Sequence, residues 1–253
     1  MLANARENAP AKALKTKALP KSALHCASNS PKNTPKMLEK SLILSKNTPT
    51  KALCTQIQSG KFKGKKLFLP NCATTRSTKN RVKACVFNVL RANLAGKIFI
   101  EVFGGSGAMA LEALSNGAEQ AFIIEKDEKA YQIALKNAQN LGCENAKVFH
   151  ANSFELLPSL CQSKLTCQTP IIAYFDPPFH YRNDFADIYE RIFSLICSLK
   201  NSNLECFIIE HSTQATMPTQ ISTFHQSKSK KFGNTTLTFY VKASKKKQAI
   251  QTT

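Results

Sequence analysis

The sequence predicts an α/β fold: a mostly parallel sheet closed by an antiparallel C-terminal hairpin, preceded by a small basic β-hairpin and helix. Three observations lead there. From Lys97 onwards, short apolar runs alternate with stretches of helical periodicity, and repeated strand–helix units imply parallel strands with helices on both faces. Gly104-Gly105-Ser106-Gly107 stands between the first such run and the helix after it, where backbone can pass close to a ligand at a helix N-terminus. Near the end, Ile221–His225 and Thr235–Val241 flank Lys230-Lys231-Phe232-Gly233, as the arms of a hairpin would.

In chain order, residues 1–56 are rich in Ala, Lys, Ser, Asn, Thr and Pro and poor in aromatics, the composition of a basic, disordered leader. Folded sequence is expected from near Ile57. Gln56–Phe62 and Lys66–Leu69, joined across Lys63-Gly64-Lys65, read as a hairpin. A polar loop, Thr74–Thr78, leads into a helix whose Val82, Val86 and Leu90 share one face, with Arg81, Lys83 and Arg91 off that stripe and Gly96 ending it. Residues 57–96 therefore form a hairpin-and-helix extension. In 97–243, strands are predicted at Ile98–Phe103, Ala121–Glu125, Ala146–His150, Ile171–Phe175 and Cys206–Glu210. Helices are predicted at Ala108–Asn116, Lys129–Leu141, Ser153–Leu160 and Phe185–Lys200. With the terminal hairpin the sheet has seven strands. Residues 244–253 read as a basic flexible tail.

Charge divides the chain. Residues 1–100 hold 20 Lys/Arg and two acids, Glu7 and Glu39, whereas 101–253 hold 15 Lys/Arg and 14 acids. A nearly neutral body behind a basic front suggests a polyanionic partner, most simply nucleic acid. No run is apolar for long enough to span a membrane, and the start lacks the apolar core of a secretory signal. The nine cysteines are scattered and odd in number, with no C-x-x-C pair, which speaks against a disulfide framework or zinc site and for thiols in a reducing cytoplasm.

Two motifs carry chemistry. Asp176-Pro177-Pro178-Phe179 follows the apolar run Ile171–Phe175. The prolines cannot donate backbone hydrogen bonds, so their carbonyls and the Asp176 carboxylate make an acceptor-only cluster closed by an aromatic ring. Such a cluster suits a planar amino group, as on a nucleobase; the plainer alternative is a strand-ending turn. The glycine loop also satisfies G-x-G-x-x-A from Gly105 to Ala110, with Glu125 twenty positions after Gly105, so a nicotinamide cofactor competes. Glu101 weighs against it: a carboxylate there repels a pyrophosphate and attracts the ammonium of a sulfonium amino acid. Glu125 and Asp127 suit ribose hydroxyls, and Asn152-Ser153 an adenine edge, although Asn152 equally suits a helix cap. All four signals fall at carboxyl ends of strands, where open α/β sheets bind ligands.

These residues resemble a family. Glu101-Val102-Phe103-Gly104-Gly105-Ser106-Gly107-Ala108, with Leu111–Ala118, is similar to the cofactor motif of class I S-adenosylmethionine methyltransferases. More specifically it resembles the RsmD group, which methylates the N2 amino group of one guanine in bacterial small-subunit (16S) ribosomal RNA. The likeness extends through Gly60–Leu67, Arg76–Asn88, Ile124–Asp127, the Asp176 tetrad and Lys231–Thr235. It covers about Ile57 to Lys242. The group's usual Asp is Glu101 here, and two acids and a proline of its loop-and-helix pattern are replaced at Ser77, Asn80 and Ala84.

The resemblance implies a Rossmann-like catalytic domain over 97–243, S-adenosylmethionine as cofactor and no metal. It implies a cofactor site of Glu101, Phe103, Gly104, Gly105, Ser106, Gly107, Glu125, Lys126, Asn152 and Ser153. Asp176, Pro177, Pro178 and Phe179 would hold the target amine. Lys61, Lys63, Lys65, Lys66, Arg76 and Arg81, in a folded, acid-free segment expected beside the catalytic mouth, would bind RNA, together with Tyr181. The expected partner is ribosomal RNA or a small-subunit assembly intermediate, met by a cytoplasmic monomer. The rival functions are an adenine-N6 nucleic-acid methyltransferase, a non-catalytic RNA-binding assembly factor and a dehydrogenase; a protein-glutamine methyltransferase is disfavoured by Asp at position 176.

Overall fold

Five strands run parallel in the order their crossovers dictate, and everything else is arranged around them. A computed structural model describes residues 53–70, 76–163, 166, 168–178 and 187–243, with the side chains of 76–78 left aside. These residues belong to one compact unit, 49–253. The strands are β1 (Cys54–Gln56), β2 (Lys66–Phe68), β3 (Ile98–Glu101), β4 (Gln120–Glu125), β5 (Ala146–His150), β6 (Ile171–Phe175), β7 (Leu204–Ser212), β8 (Gln220–Ile221), β9 (Phe224–Phe232) and β10 (Thr235–Lys242). The helices are α1 (Arg76–Leu90), α2 (Ala108–Ser115), α3 (Glu128–Asn140), α4 (Ser153–Cys161) and α5 (Ile188–Ser198).

The main sheet has the order β5-β4-β3-β6-β7-β10-β9-β8. β3 to β7 are mutually parallel, and β10 returns antiparallel beside β7. The chain leaves β3 towards β4 on one side and later places β6 on the other, so the crevice at their carboxyl ends is a switch point of the kind that binds ligands. Both sheet faces are covered, which is why the central strands read as unbroken apolar runs. One core packs Phe99, Ile123, Ile172, Tyr174, Ile208, Leu237 and Phe239 under the hairpin and α1 to α3. The other packs Ile100, Phe122, Ile171, Ala173, Phe175, Phe207 and Ile209 under α4 and α5. The fold is the expected Rossmann-like one, with the two-residue β8 as an eighth strand.

The N-terminal hairpin is a separate two-stranded ladder, fastened to the body by buried polar groups. The Glu112 carboxylate on α2 accepts from Gln58 N (2.9 Å), Ser59 N (2.8 Å) and Ser59 Oγ (3.0 Å). It also pairs with Lys83 Nζ of α1 at 3.0 Å, where both side chains are almost fully buried. Lys83 donates a second bond to the Gln56 carbonyl at 2.6 Å. Asn137 on α3 is fully buried; it accepts from Phe68 N and donates to the carbonyls of Phe68 and Ser106, so one amide ties β2 to the glycine loop. Gly60 has φ 78°, and a Cβ there would lie 1.7 Å from the Ser115 carbonyl oxygen, so only glycine lets the hairpin turn close on α2.

Three expectations are corrected. The first hairpin strand lies at Cys54–Gln56, not Gln56–Phe62, and 59–64 form its turn; ladder pairing begins within the stretch expected to be leader. Lys83 is not a surface residue beside the apolar stripe: Glu112 and the Gln56 carbonyl supply the acceptors that let its ammonium be buried. The C-terminal arm expected at Ile221–His225 runs instead over Phe224–Phe232, and Lys230 and Lys231, taken for turn residues, lie inside it. Every residue from His225 to Lys231 is exposed, so the apolar alternation that betrays a half-buried strand is missing. Phe179, Tyr181 and the tail 244–253 lie outside the described residues, as does the side chain of Arg76.

A chain beginning at Pro49 is expected to unfold at the same temperature as the full chain. One beginning at Ile57 loses β1 and the Gln56 acceptor of Lys83, and should be less stable by about 1–3 kcal/mol. Glu112→Gln leaves the Lys83 ammonium buried without its counter-charge and should cost about 3–5 kcal/mol. Denaturant unfolding of the variants checks these values.

Candidate active site

Alternation and register bring several ionisable groups together at the ends of β6 and β7. Tyr174 and Asp176, two apart, face the same side of β6. Tyr174 pairs with Ile208 of β7, so Glu210, two residues further on, faces that same side next to Asp176. α1 covers this face and delivers Lys79. Its Nζ lies 2.6 Å from Asp176 Oδ2 and 3.4 Å from Glu210 Oε1. The Tyr174 hydroxyl donates to Glu210 Oε2. Two carboxylates therefore meet at adjacent strand ends, held by one ammonium and one phenol.

Burial, with Asp176 beside it, pushes the Glu210 carboxyl up to about 7, against the pull of Lys79. Burial also works against the Lys79 charge, but the two carboxylates outweigh it and hold the ammonium well above its ordinary range. Burial pushes the Tyr174 phenol up, and the charges of Glu210 and Asp176 add to the effect. Tyr174 is thus a hydrogen-bond donor and not a base.

The glycine loop forms the adjoining wall. Gly104 and Gly107 sit where a Cβ would come within 2.4 and 2.7 Å of the Ile123 side chain, and Gly107 has φ 75°. Those two glycines pack the loop against β4, whereas a Cβ on Gly105 would meet nothing within 4 Å. The loop is therefore open on the side of Gly105. Glu101, almost fully buried at the end of β3, accepts from Ala110 N at 2.9 Å in the first turn of α2. Burial pushes its carboxyl up to about 8, opposed by the N–H groups of Ala110 and Met109. Glu125, at the end of β4, accepts from Gly105 N and Asp127 N, both at 2.7 Å.

A cavity of about 320 Å³ joins these parts. Glu101, Phe103, Gly104, Gly105 and Ser106 line one end and Lys79, Tyr174, Asp176 and Glu210 the other, with Leu53, Thr55, Leu69 and Pro70 of the hairpin as a rim. Glu125, Lys126, Asn152 and Ser153 are not in its wall; they lie at the neighbouring ends of β4 and β5. There Asn152 caps α4, accepting from Phe154 N and donating to Glu155, while the buried Ser153 hydroxyl donates to the Val102 carbonyl. Lys126 is exposed, and its carbonyl meets the His150 ring at 3.0 Å. Pro177 is buried and Pro178 exposed.

The expected RNA-binding residues separate. Arg81 is exposed on α1. Lys61, Lys63 and Lys65 are exposed on the hairpin turn, which bonds to Ser115 at the far end of α2. The eight residues of α2 run from the glycine loop to that point, about 12 Å of rise. The turn is therefore at the opposite end of α2 from the loop, not beside the mouth; the hairpin's open end is what reaches the cavity. Lys79, Tyr174 and Glu210 were missed. Glu210 had a usable signal, since it ends a predicted strand as Asp176 nearly does. Tyr174 was hidden in an apolar run, and Lys79 stood just past the polar loop at the start of a predicted helix, where nothing set it apart from a surface lysine.

A family described as Conserved hypothetical protein 95 matches residues 55–241. Ribosomal RNA small subunit methyltransferase D of Escherichia coli K12 is 36% identical over 124 residues, 49% of this chain and 60% of that protein's length. Its namesake in Haemophilus influenzae is 31% identical over 154 residues, 59% of this chain and 74% of that protein. The chain belongs to the RsmD-type methyltransferase family. Among solved structures, yhhF from Escherichia coli matches this RsmD-type chain with a TM-score of 0.60 and 27% identity, over 75% of this chain and 98% of that one. The 16S rRNA N2 G1207 methyltransferase of Thermus thermophilus, in complex with AdoMet and guanosine, shares the fold at TM-score 0.53 and 13% identity, over 76% of this chain and 50% of that one.

Because the Glu101 carboxyl is raised from 4.5 to about 8 in the folded protein, its neutral form stabilises the fold, fully so below the unfolded value. That contribution is lost as pH rises through 8. Glu101→Gln stays neutral throughout. The variant should therefore gain stability relative to the parent between pH 5 and pH 9, by a few kcal/mol at most. Thermal melts across that range, without ligand, are the check.

Proposed function

We propose that this chain methylates the exocyclic N2 amino group of a guanine in small-subunit ribosomal RNA, using S-adenosylmethionine. The observation that carries the reading is the single cavity joining an open glycine loop to an acceptor cluster in which an N–H donor, the Lys79 ammonium, is already seated. The match to Ribosomal RNA small subunit methyltransferase D supports the substrate class.

The donor set fits the cofactor. Gly105 leaves the loop open, Glu101 offers a carboxylate for the ammonium of the amino-acid part, and Glu125 offers one for ribose hydroxyls. Phe103 follows β3 and Asn152 follows β5, on either side of the end of β4, with Gly104, Ser106 and Gly107 shaping the loop from β3 to α2. S-adenosylmethionine supplies a methyl group already activated on a sulfonium, so no metal or protein nucleophile is required. The chain's task is then the amine. The N2 lone pair of guanine is delocalised into the ring, and two N–H acceptors at one point favour a pyramidal nitrogen. The Asp176 carboxylate and the Pro177 carbonyl serve as those acceptors, and Asp176 takes the proton released on transfer. Phe179 is assigned to stacking on the unpaired base, and Pro178 to holding the turn. This is catalysis by positioning and electrostatics.

The incoming amine must replace Lys79 at Asp176, and the displaced ammonium keeps Glu210 as its partner. Ribosomal RNA, free or in a small-subunit assembly intermediate, is the proposed substrate, met by a monomer in the cytoplasm. Asp176→Asn should lower the single-turnover rate by about 10²–10³-fold while calorimetric binding of S-adenosylhomocysteine stays near that of the parent. Methyl transfer from labelled cofactor to small subunits, followed by nucleoside mass spectrometry, tests the assignment. N2-methylguanine is expected; N6-methyladenine, or no incorporation, would refute it.

Lys79→Met removes the cation facing two carboxylates, so the acid limb of the rate–pH profile should move to higher pH by about one unit or more. An unmoved limb would show that Lys79 has no electrostatic part in the site.

A further inference from the structure

The hairpin turn lies away from the mouth, yet the chain's surface is not short of cations near it. No acid follows Glu210 in the sequence, and none lies between Lys40 and Lys97. The fold packs these two acid-free stretches together, α1 against β9. β10 pairs with β7 so that Thr235 faces Ser212 and Leu237 faces Glu210. β9 pairs with β10 so that Lys230 faces Leu237 and Lys228 faces Phe239. Lys230 is therefore level with Glu210, two strand spacings away, about 10 Å.

Directly paired residues share a sheet face, and Leu237 and Phe239 belong to the core beneath α1. Lys228 and Lys230 thus stand on the α1 side. Their charges reach Cys85 of α1, pulling its thiol down against the burial that raises it. Arg81 of α1 lies over the ring of Phe232, 6.0 Å from its centroid. Arg81, Lys228 and Lys230 are exposed, and among the described residues none of them makes an ion pair. Lys79, the next cation along α1 towards the mouth, is engaged by Asp176 and Glu210.

We infer that the face formed by α1 and β9, with Arg81, Lys228 and Lys230, is the surface on which the RNA backbone docks to present its base to Asp176. The inference rests on the RNA-methyltransferase reading above and deepens it by naming where the phosphates lie. Lys228 and Lys230 are two residues apart on one strand face, about 6.6 Å, so they can meet neighbouring phosphates of one strand. The competing explanation is that lysines on this face only blunt an open sheet edge, since β8 covers just Phe224 and His225 of β9.

The test uses the full chain, a labelled single-stranded RNA oligonucleotide and purified small ribosomal subunits. Lys228→Ser/Lys230→Ser is compared with Lys63→Ser/Lys65→Ser, which removes the same charge from the hairpin turn. The β9 variant should bind about tenfold more weakly near 0.1 M salt, with the slope of log K against log salt reduced by roughly 1.5. It should still bind S-adenosylhomocysteine like the parent, and the hairpin variant should lose much less RNA affinity. Equal losses in the two variants would reduce the effect to net charge and overturn the assignment. Parental RNA affinity combined with self-association of the β9 variant would assign the lysines to edge protection and also overturn it. If the parent binds neither RNA probe while binding S-adenosylhomocysteine, the RNA reading fails and this surface falls with it.

Discussion

The Glu112 carboxylate is the constraint on which the outer half of the molecule depends. Taking a carboxylate and an ammonium out of water costs several kcal/mol each, and that cost is tolerable only when other donors converge. Here Lys83, two backbone N–H groups and the Ser59 hydroxyl do so. The result fixes three separate segments, the hairpin, α1 and α2, in one geometry. Asn137 repeats the device on α3, where one side chain holds both backbone groups of Phe68 and the carbonyl of Ser106. Beside these clamps, Ile57 and Leu67 are buried in the core, so a three-residue ladder that would be marginal alone is held on the body by both polar and apolar contacts.

What the clamps position is α1, and α1 carries charges to two places. At its first turn Lys79 reaches the paired carboxylates of β6 and β7. Those carboxylates are adjacent because side-chain alternation and parallel register leave them no choice, and a second buried acid beside Asp176 would favour its own neutralisation. The Lys79 ammonium is the local answer to that repulsion. It also keeps an N–H donor at the place where the proposed target amine must bind. Two residues beyond Lys79, on a different side of the helix, Arg81 is exposed and lies over Phe232 of β9.

The glycine loop shows the same division between packing and access. Gly104 and Gly107 are required by the closeness of Ile123, whereas Gly105 faces open space and is favoured by its positive φ of 52°. Glu101 caps the first turn of α2 from below and is kept largely neutral by its burial. The loop, the acceptor cluster and the rim of the hairpin come from three parts of the chain, and the switch point between β4 and β6 is where they meet.

Much of this was legible in the sequence. The glycine loop, the strand that ends at Asp176 and the helix from Ala108 are written in local patterns of period 2 and 3.6 and in residues with special backbone freedom. So is the basic half of the chain. Tertiary structure decided the rest, for identifiable reasons. Lys83 looks like any surface lysine because the acid that buries it is 29 positions away on α2. β9 looks like a turn because both of its faces meet water, and only pairing with β10 makes it a strand. Tyr174 and Glu210 become neighbours through parallel register, and Lys79 joins them because α1 packs over that face, so three residues that no local pattern connects form one cluster. The sequence by itself determined the five parallel strands, the helices between them and the motifs at their carboxyl ends, because these are written in local periodicity and backbone freedom. Which charges face each other, and whether a lysine is clamp, partner or free surface, was decided by packing, because a charge takes its meaning from its neighbours in space.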